Sequence, residues 1–261
     1  RSGGSFQRSG EDRRPGGNRV DEPEAPMDFD EKALPPSVKA ELRGVPSDVA
    51  HIIEGHLVAA AELIDTDPEL ANKHAQAARR RAARLPVLRE AAADTAYAAG
   101  EFASALNDYR TLRRMTGNDN YLPVMADCER ALGRPQAALR LIKEAEEAGD
   151  LSSSQSVELV LVKAGARQDM GQDAEALRLL HSAVSGVHGS DEARARLYYA
   201  YAEALLRKGD TAAAREWFTS SDDLDASGLL DADERIARID GVDLGDEDEQ
   251  DDGEDPEDSD D

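Results

Sequence analysis

His51, Glu54 and His56 are the first residues of this chain whose types could do chemistry together. A helical zinc centre of the protease kind needs His at i and i+4 with Glu directly after the first, so that all three share one face. Here the two His are five residues apart, which splays the rings by about 140° on a helix of 3.6 residues per turn. No further ligand set completes a site, so these residues read as structural. His74, His181 and His188 stand alone in the sequence. Cys128 is the only cysteine and falls on a helix face with core spacing, where a thiol acts as a small apolar filler. With no second cysteine an intramolecular disulfide is impossible, which points to a reducing, cytoplasmic compartment. Neither a Gly-rich phosphate loop nor a nucleophile elbow nor a Cys-His pair is present. The sequence therefore predicts no enzyme, no cofactor and no metal.

Charge offers a second kind of chemistry. Arg79, Arg80, Arg81 and Arg84 form the densest basic patch, with Arg89 close behind. Two readings stand: a solvated face paired to nearby Asp and Glu, or a dock for an acidic segment such as the chain's own C-terminus. Residues 1–19 hold five Arg against Glu11 and Asp12, a net of +3, and residues 240–261 hold fourteen Asp and Glu and no Lys or Arg. The total of −24 leaves −13 for the residues between. Acidity of this degree disfavours non-specific contact of the bulk with nucleic acid or an anionic membrane. An Arg-Gly head can still contact RNA through charge and stacking, although Phe6 is its only aromatic. The acidic tail reads as a solubilising bristle, a bait for basic partners, or a cover for the Arg79 patch. No apolar run approaches the roughly 20 residues that span a bilayer, and no signal-peptide pattern is visible. The chain begins at Arg1 rather than Met, as a piece of a longer product would.

The elements that must position these residues are helices. Alanine is abundant and aromatics make up 4 % of the chain, a profile that favours stacked helices over sheet. Residues 1–33 read as a disordered Arg-Gly head and an acidic, Pro-bearing linker, 34–239 as a helical solenoid, and 240–261 as a disordered acidic tail. After a short helix opened by Pro35-Pro36, a first hairpin turns at Asp65-Thr66-Asp67-Pro68, with Asp67 as N-cap and Pro68 at the first helical position. Four further hairpins turn at Gly100, Gly133, Gly171 and Gly209. These glycines are 33, 38 and 38 residues apart, and Thr66 lies 34 before the first. Helix-turn-helix content at such periods means a solenoid. Leu229, Leu230, Ile236 and Ile239 suggest a last amphipathic helix, the polar-faced cap a repeat stack needs.

Around each glycine the same frame recurs. Ala93, Ala126, Ala164 and Ala202 stand seven residues before it, Ala105, Ala138, Ala176 and Ala214 five after, and Tyr109, Ile142, Leu180 and Phe218 nine after. This frame resembles the tetratricopeptide repeat over about residues 46–222. Leu112, Ala145 and Ala183 fit the next core position, and Ser221 departs from it. Arg89, Glu129, Lys163 and Arg167 stand where that family usually has an apolar residue. The whole composition, with an Arg-Gly segment in front, also resembles tetratricopeptide-repeat proteins of actinobacteria, and no activity attaches to that similarity.

The resemblance implies an all-α, right-handed superhelical solenoid of about five helix pairs. It also implies a non-catalytic scaffold or adaptor that binds a peptide or protein in a groove lined by the first helix of each pair. RNA contact through the N-terminal segment is the alternative. The family's carboxylate clamp of Lys, Asn and Arg is not reproduced: the matching positions hold Glu90, Asp94, Asn120, Pro123, Val124 and Asp127, and the carboxylates among them would repel an acidic chain end. The candidate groove comprises Glu90, Asp94, Tyr97, Asp127, Arg130, Leu161, Tyr199 and Glu203. Tyr97, Leu161 and Tyr199 either point into it or fill space between helices. Trp217 reads as packing against the terminal helix.

Overall fold

The computed structural model describes residues 22–149, 151–186 and 189–242. The Arg-Gly head and nearly all of the acidic tail, expected to be disordered, lie outside them. Every regular element among the described residues is helical. Two compact units meet in sequence at Thr116 and Gly117.

In the first unit, a short 3-10 helix (Glu31–Ala33) leads into α1 (Pro36–Leu42), followed by the pairs α2 (Ser47–Leu63) with α3 (Pro68–Arg81), and α4 (Pro86–Ala98) with α5 (Phe102–Thr116). The expected Asp67 cap forms: its carboxylate accepts from Leu70 N at 3.0 Å. Leu34, Val38 and Leu42 are buried with Ile53, Leu57, Ala78 and Leu88. The linker reading of the residues before Leu34 needs correcting. The stretch from Glu22 lies against α2 and α3, with Glu22 paired to Arg80 and Arg81 and Phe29 stacked on His51. Its signal is hard to see in sequence because no apolar periodicity accompanies it.

The second unit holds three pairs: α6 (Leu122–Ala131) with α7 (Pro135–Ala148), α8 (Ser153–Asp169) with α9 (Asp173–Val184), and α10 (Asp191–Lys208) with α11 (Thr211–Asp222). The last helix, α12 (Ala232–Ile239), packs on α11. A reciprocal capping box starts α8, with Ser152 Oγ accepting from Gln155 N and Gln155 Oε1 accepting from Ser152 N. Ser190 caps α10 and Asp210 caps α11 through their side chains. Gly209 ends α10 at φ 89°, a left-handed conformation that favours glycine, and this lets Asp210 N reach back to Leu205 O at 3.0 Å. Leu229 is a correction: it precedes α12 and is 77 % exposed, while Leu230 is held by the Asp225 carboxylate.

The repeat frame is the packing frame. Ala202, Ala214 and Phe218 are fully buried together, as are Ala126, Ala138 and Ile142 in the α6–α7 pair. Alanine lets paired helices approach closely, and the large residue fills the space between successive pairs. The departures have partners. Arg89 Nη1 donates to Asp108 at 2.6 Å, Lys163 Nζ to Glu146 at 2.6 Å, and Arg167 Nη1 to Gln172 at 2.7 Å. Glu129, although buried, faces Arg134 at 3.3 Å. Ser221 Oγ donates to Ala195 O at 2.9 Å, so a polar side chain fits a core position by bonding the neighbouring helix.

Candidate functional site

Three first helices of the second unit build a concave site. Asp127 and Arg130 come from α6, Glu158, Leu161, Val162, Gly165 and Gln168 from α8, and Tyr199, Ala200, Glu203 and Arg207 from α10. The same helical face recurs because residues three and four apart lie one above the other: Glu158, Leu161 and Gly165 on α8, Tyr199, Glu203 and Arg207 on α10. The cavity holds about 330 Å³. Five of the eight candidate groove residues, Asp127, Arg130, Leu161, Tyr199 and Glu203, line it together. Sequence reasoning missed Glu158 and Gly165. Their signal was available, since each lies one helical turn from Leu161.

Charges alternate around an apolar floor of Leu161, Val162 and Leu180. Arg130 Nε donates to Asp127 Oδ1 at 3.0 Å and its Nη1 lies 3.6 Å from Asp169. Gly165 leaves room for this arrangement: a Cβ there would sit 3.1 Å from Arg130 Nη1, a tight contact. Glu158 is 2.8 Å from Arg196, and Glu203 is 3.4 Å from Arg235. Burial raises the Glu158 carboxyl above its ordinary range; Arg196 opposes this, and the negative charges of Asp127 and Glu192 add to it. Tyr199 donates its hydroxyl hydrogen to Asp231 and receives Arg235 Nε at 3.2 Å, and burial pushes its phenol pKa up. Its ring packs edge-on against Phe218. Tyr199 thus both faces the cavity and fills space between helices, so the two readings of this residue are compatible. The site presents carboxylate acceptors, the guanidinium groups of Arg130 and Arg207, and an apolar floor. It holds no arrangement of nucleophile, base and oxyanion donors.

The other three candidate groove residues belong to the first unit, on α4. Asp94 accepts from Tyr109 OH at 2.6 Å, and its carboxyl is raised by burial and by the charge of Glu90. Tyr97 packs edge-on against Phe102 at 5.6 Å.

The basic patch is a network of ion pairs. Arg79 Nη1 and Arg89 Nη1 converge on Asp108 Oδ1 at 2.5 and 2.6 Å, with Asp108 only 1 % exposed. Arg80 and Arg81 both hold Glu22, at 2.8 and 2.6 Å, and Arg84 is exposed. Of the two readings of this patch, the paired face describes three of its four arginines, Arg79, Arg80 and Arg81, each of which has a carboxylate partner, and the acidic tail of the other reading lies, from residue 243, outside the described residues. So does the Arg-Gly head on which RNA contact depends.

His74, expected to stand alone, is paired with His56: their Nδ1 atoms are 3.0 Å apart in the core of the first hairpin. Burial lowers both, His56 to about 4, helped by the positive charge of Arg81. His51 points the other way, toward Phe29. Among the described residues no group of three His, Cys, Asp or Glu is placed to hold a metal ion. Cys128 is fully buried in α6, as a core filler would be. No helix of the described residues is long and apolar enough to cross a membrane.

No protein-family model matches this sequence, and no curated protein matches it. Solved structures do. TTC0263, a thermophilic TPR protein of Thermus thermophilus, is 20 % identical, with 73 % of this chain and 100 % of that one covered and a TM-score of 0.58. The Cut9–Hcn1 hetero-tetramer of APC/C matches at 13 % identity over 77 % of this chain and 44 % of that one, with a TM-score of 0.53. At such identities the likeness is one of fold. Helix pairs closed by left-handed glycines at tetratricopeptide intervals, an alanine frame that is the buried frame, and these neighbours give one conclusion: the chain has the fold of the tetratricopeptide repeat, an all-α solenoid of helical hairpins.

Proposed function

We propose that this protein is a non-catalytic interaction scaffold, and that the concavity on α6, α8 and α10 receives an extended segment of a partner protein. The convergence of Asp127, Arg130, Leu161, Tyr199 and Glu203 on one cavity carries the reading. About 330 Å³ accommodates one or two side chains of a peptide, with neighbouring residues running over the alternating charges. The apolar floor suits an aliphatic or aromatic anchor, and the carboxylates of Asp127, Glu158 and Glu203 suit basic or hydrogen-bond-donating neighbours. An acidic chain end is disfavoured by those same carboxylates. The reading suits a protein acting in the cytoplasm.

The test is a pull-down with the full chain beside a Leu161→Arg variant, read by quantitative mass spectrometry. The expected result is one or a few proteins enriched by the parent and lost with the variant, while both show the same circular dichroism. Equal recovery by both would place any interaction elsewhere on the molecule.

A further inference from the structure

Residues 22–30, EPEAPMDFD, cross the first hairpin without regular structure, and their contacts are those of a bound peptide. The Glu22 carboxylate is forked between two arginines of α3, with Oε1 2.6 Å from Arg81 Nη2 and Oε2 2.8 Å from Arg80 Nη2 and 3.2 Å from its Nε. The hydrogen bond from Arg80 holds that carboxyl below its ordinary range. Pro26 places its carbonyl oxygen against Gly55, where a Cβ would overlap it and would stand 3.3 Å from the Phe29 ring. Met27 O lies 3.2 Å from His51 Nε2, which carries the hydrogen of that contact. Phe29 stacks on the His51 ring at 4.9 Å and 30°.

His51 and Gly55 are one turn apart on α2, so α2 offers a ring and a glycine notch on one face, with the guanidinium pair of α3 beside it. A glycine inside a helix destabilises it relative to alanine. At Gly55 the space kept open is filled by the Pro26 carbonyl. Along the segment, a carboxylate, a peptide carbonyl and an aromatic ring are each recognised separately. The anchoring ion pairs are partly exposed, with Glu22 at 30 %, Arg80 at 39 % and Arg81 at 28 %, and pairs of that kind contribute little against water.

We propose that this face of the first hairpin is a peptide-binding site held in cis by residues 22–30. Its partner in trans is a protein segment with an acidic residue, a proline four positions later and an aromatic three positions after that. Residues 22–30 act as an autoinhibitory ligand. Their tether gives an effective concentration on the order of millimolar, so a peptide that binds the open face at about 0.1 mM is held off about tenfold.

The probe is a fluorescein-labelled peptide of residues 22–30, read by anisotropy against the full chain. Glu22→Ala with Phe29→Ala opens the site and should tighten peptide binding about tenfold over the parent. Glu22→Gln alone should tighten it in the same direction by less. Adding Gly55→Ala to the opened chain fills the notch and should abolish binding, while the alanine favours the helix and leaves the melting midpoint equal or higher than that of the opened chain. Thermal melts of each variant establish that the hairpin remains folded. Equal affinity for parent and opened chains, or binding by the opened chain that Gly55→Ala leaves intact, overturns the proposal.

Discussion

Asp108→Asn removes one negative charge from the first unit and changes almost nothing else. Asp108 is 1 % exposed and accepts from Arg79 and Arg89, so it ties α3, α4 and α5 through one oxygen. Asparagine keeps the size but leaves two guanidinium groups converging on a neutral amide. Breaking a fully buried ion pair from one side costs about 3–5 kcal/mol. The Arg79 and Arg89 side chains retain 26 % and 17 % exposure, so water recovers part of that. The expected loss is about 2–3 kcal/mol, after discounting for this exposure. Urea unfolding followed by circular dichroism measures it, and amide exchange should locate the weakening in α3 to α5. Replacing all three residues by apolar ones, Asp108→Leu with Arg79→Met and Arg89→Met, should recover most of the loss, because no charge is then left unpaired. A loss below about 0.5 kcal/mol for Asp108→Asn would refute the reasoning, since two arginines cannot share a buried carboxylate and be indifferent to its charge.

Ala214→Leu adds methylene groups where α10 and α11 nearly touch and should cost about 1–3 kcal/mol, whereas Leu at the exposed Ala226 should cost nothing measurable in a thermal melt. His56 is held to about 4 by burial, with Arg81, Arg80 and His74 lowering it and Glu22 opposing, against 6.5 in the unfolded chain. The unfolded state therefore binds more protons between those values. Stability from this group is complete above about pH 6.5 and is lost as pH falls toward 4, by up to about 1.4 kcal/mol per pH unit. Urea midpoints at pH 7, 5.5 and 4.5 should fall less steeply for His56→Leu than for the parent; parallel curves would contradict the assignment.

The repeat was legible because it is written in small residues at fixed offsets from a turn glycine. Ala202, Ala214 and Phe218 each report on spacing alone, and spacing is what close helix packing requires. The lining of the candidate cavity was partly legible for the same reason. Once the first helices are phased, Leu161, Tyr199 and Glu203 fall on one face. The long-range polar contacts were not legible. Nothing in the local pattern says that Asp108 neutralises Arg79 and Arg89, that His56 meets His74, or that Glu22 answers Arg80 and Arg81 across 58 and 59 residues of sequence. Such pairs depend on which helices become neighbours. Gly55 and Gly165 show the same limit from the other side. Neither sits at a turn, and each makes sense only beside what lies against it, Pro26 O in one case and the Arg130 guanidinium in the other.

The central claim is that a partner segment lies along α6, α8 and α10 of the second unit, and site-specific photocrosslinking tests it most directly. Peptides selected from a random library by the full chain would be bound to chains carrying a photoreactive residue at position 161, 199 or 207, and to a control carrying it at position 226. Leu161, Tyr199 and Arg207 line the cavity, and Ala226 is exposed. The account predicts crosslinks from the three groove positions, none from 226, and their loss on adding excess unlabelled peptide. Selected peptides that crosslink equally from 226, or from none of the groove positions while still binding, would contradict it.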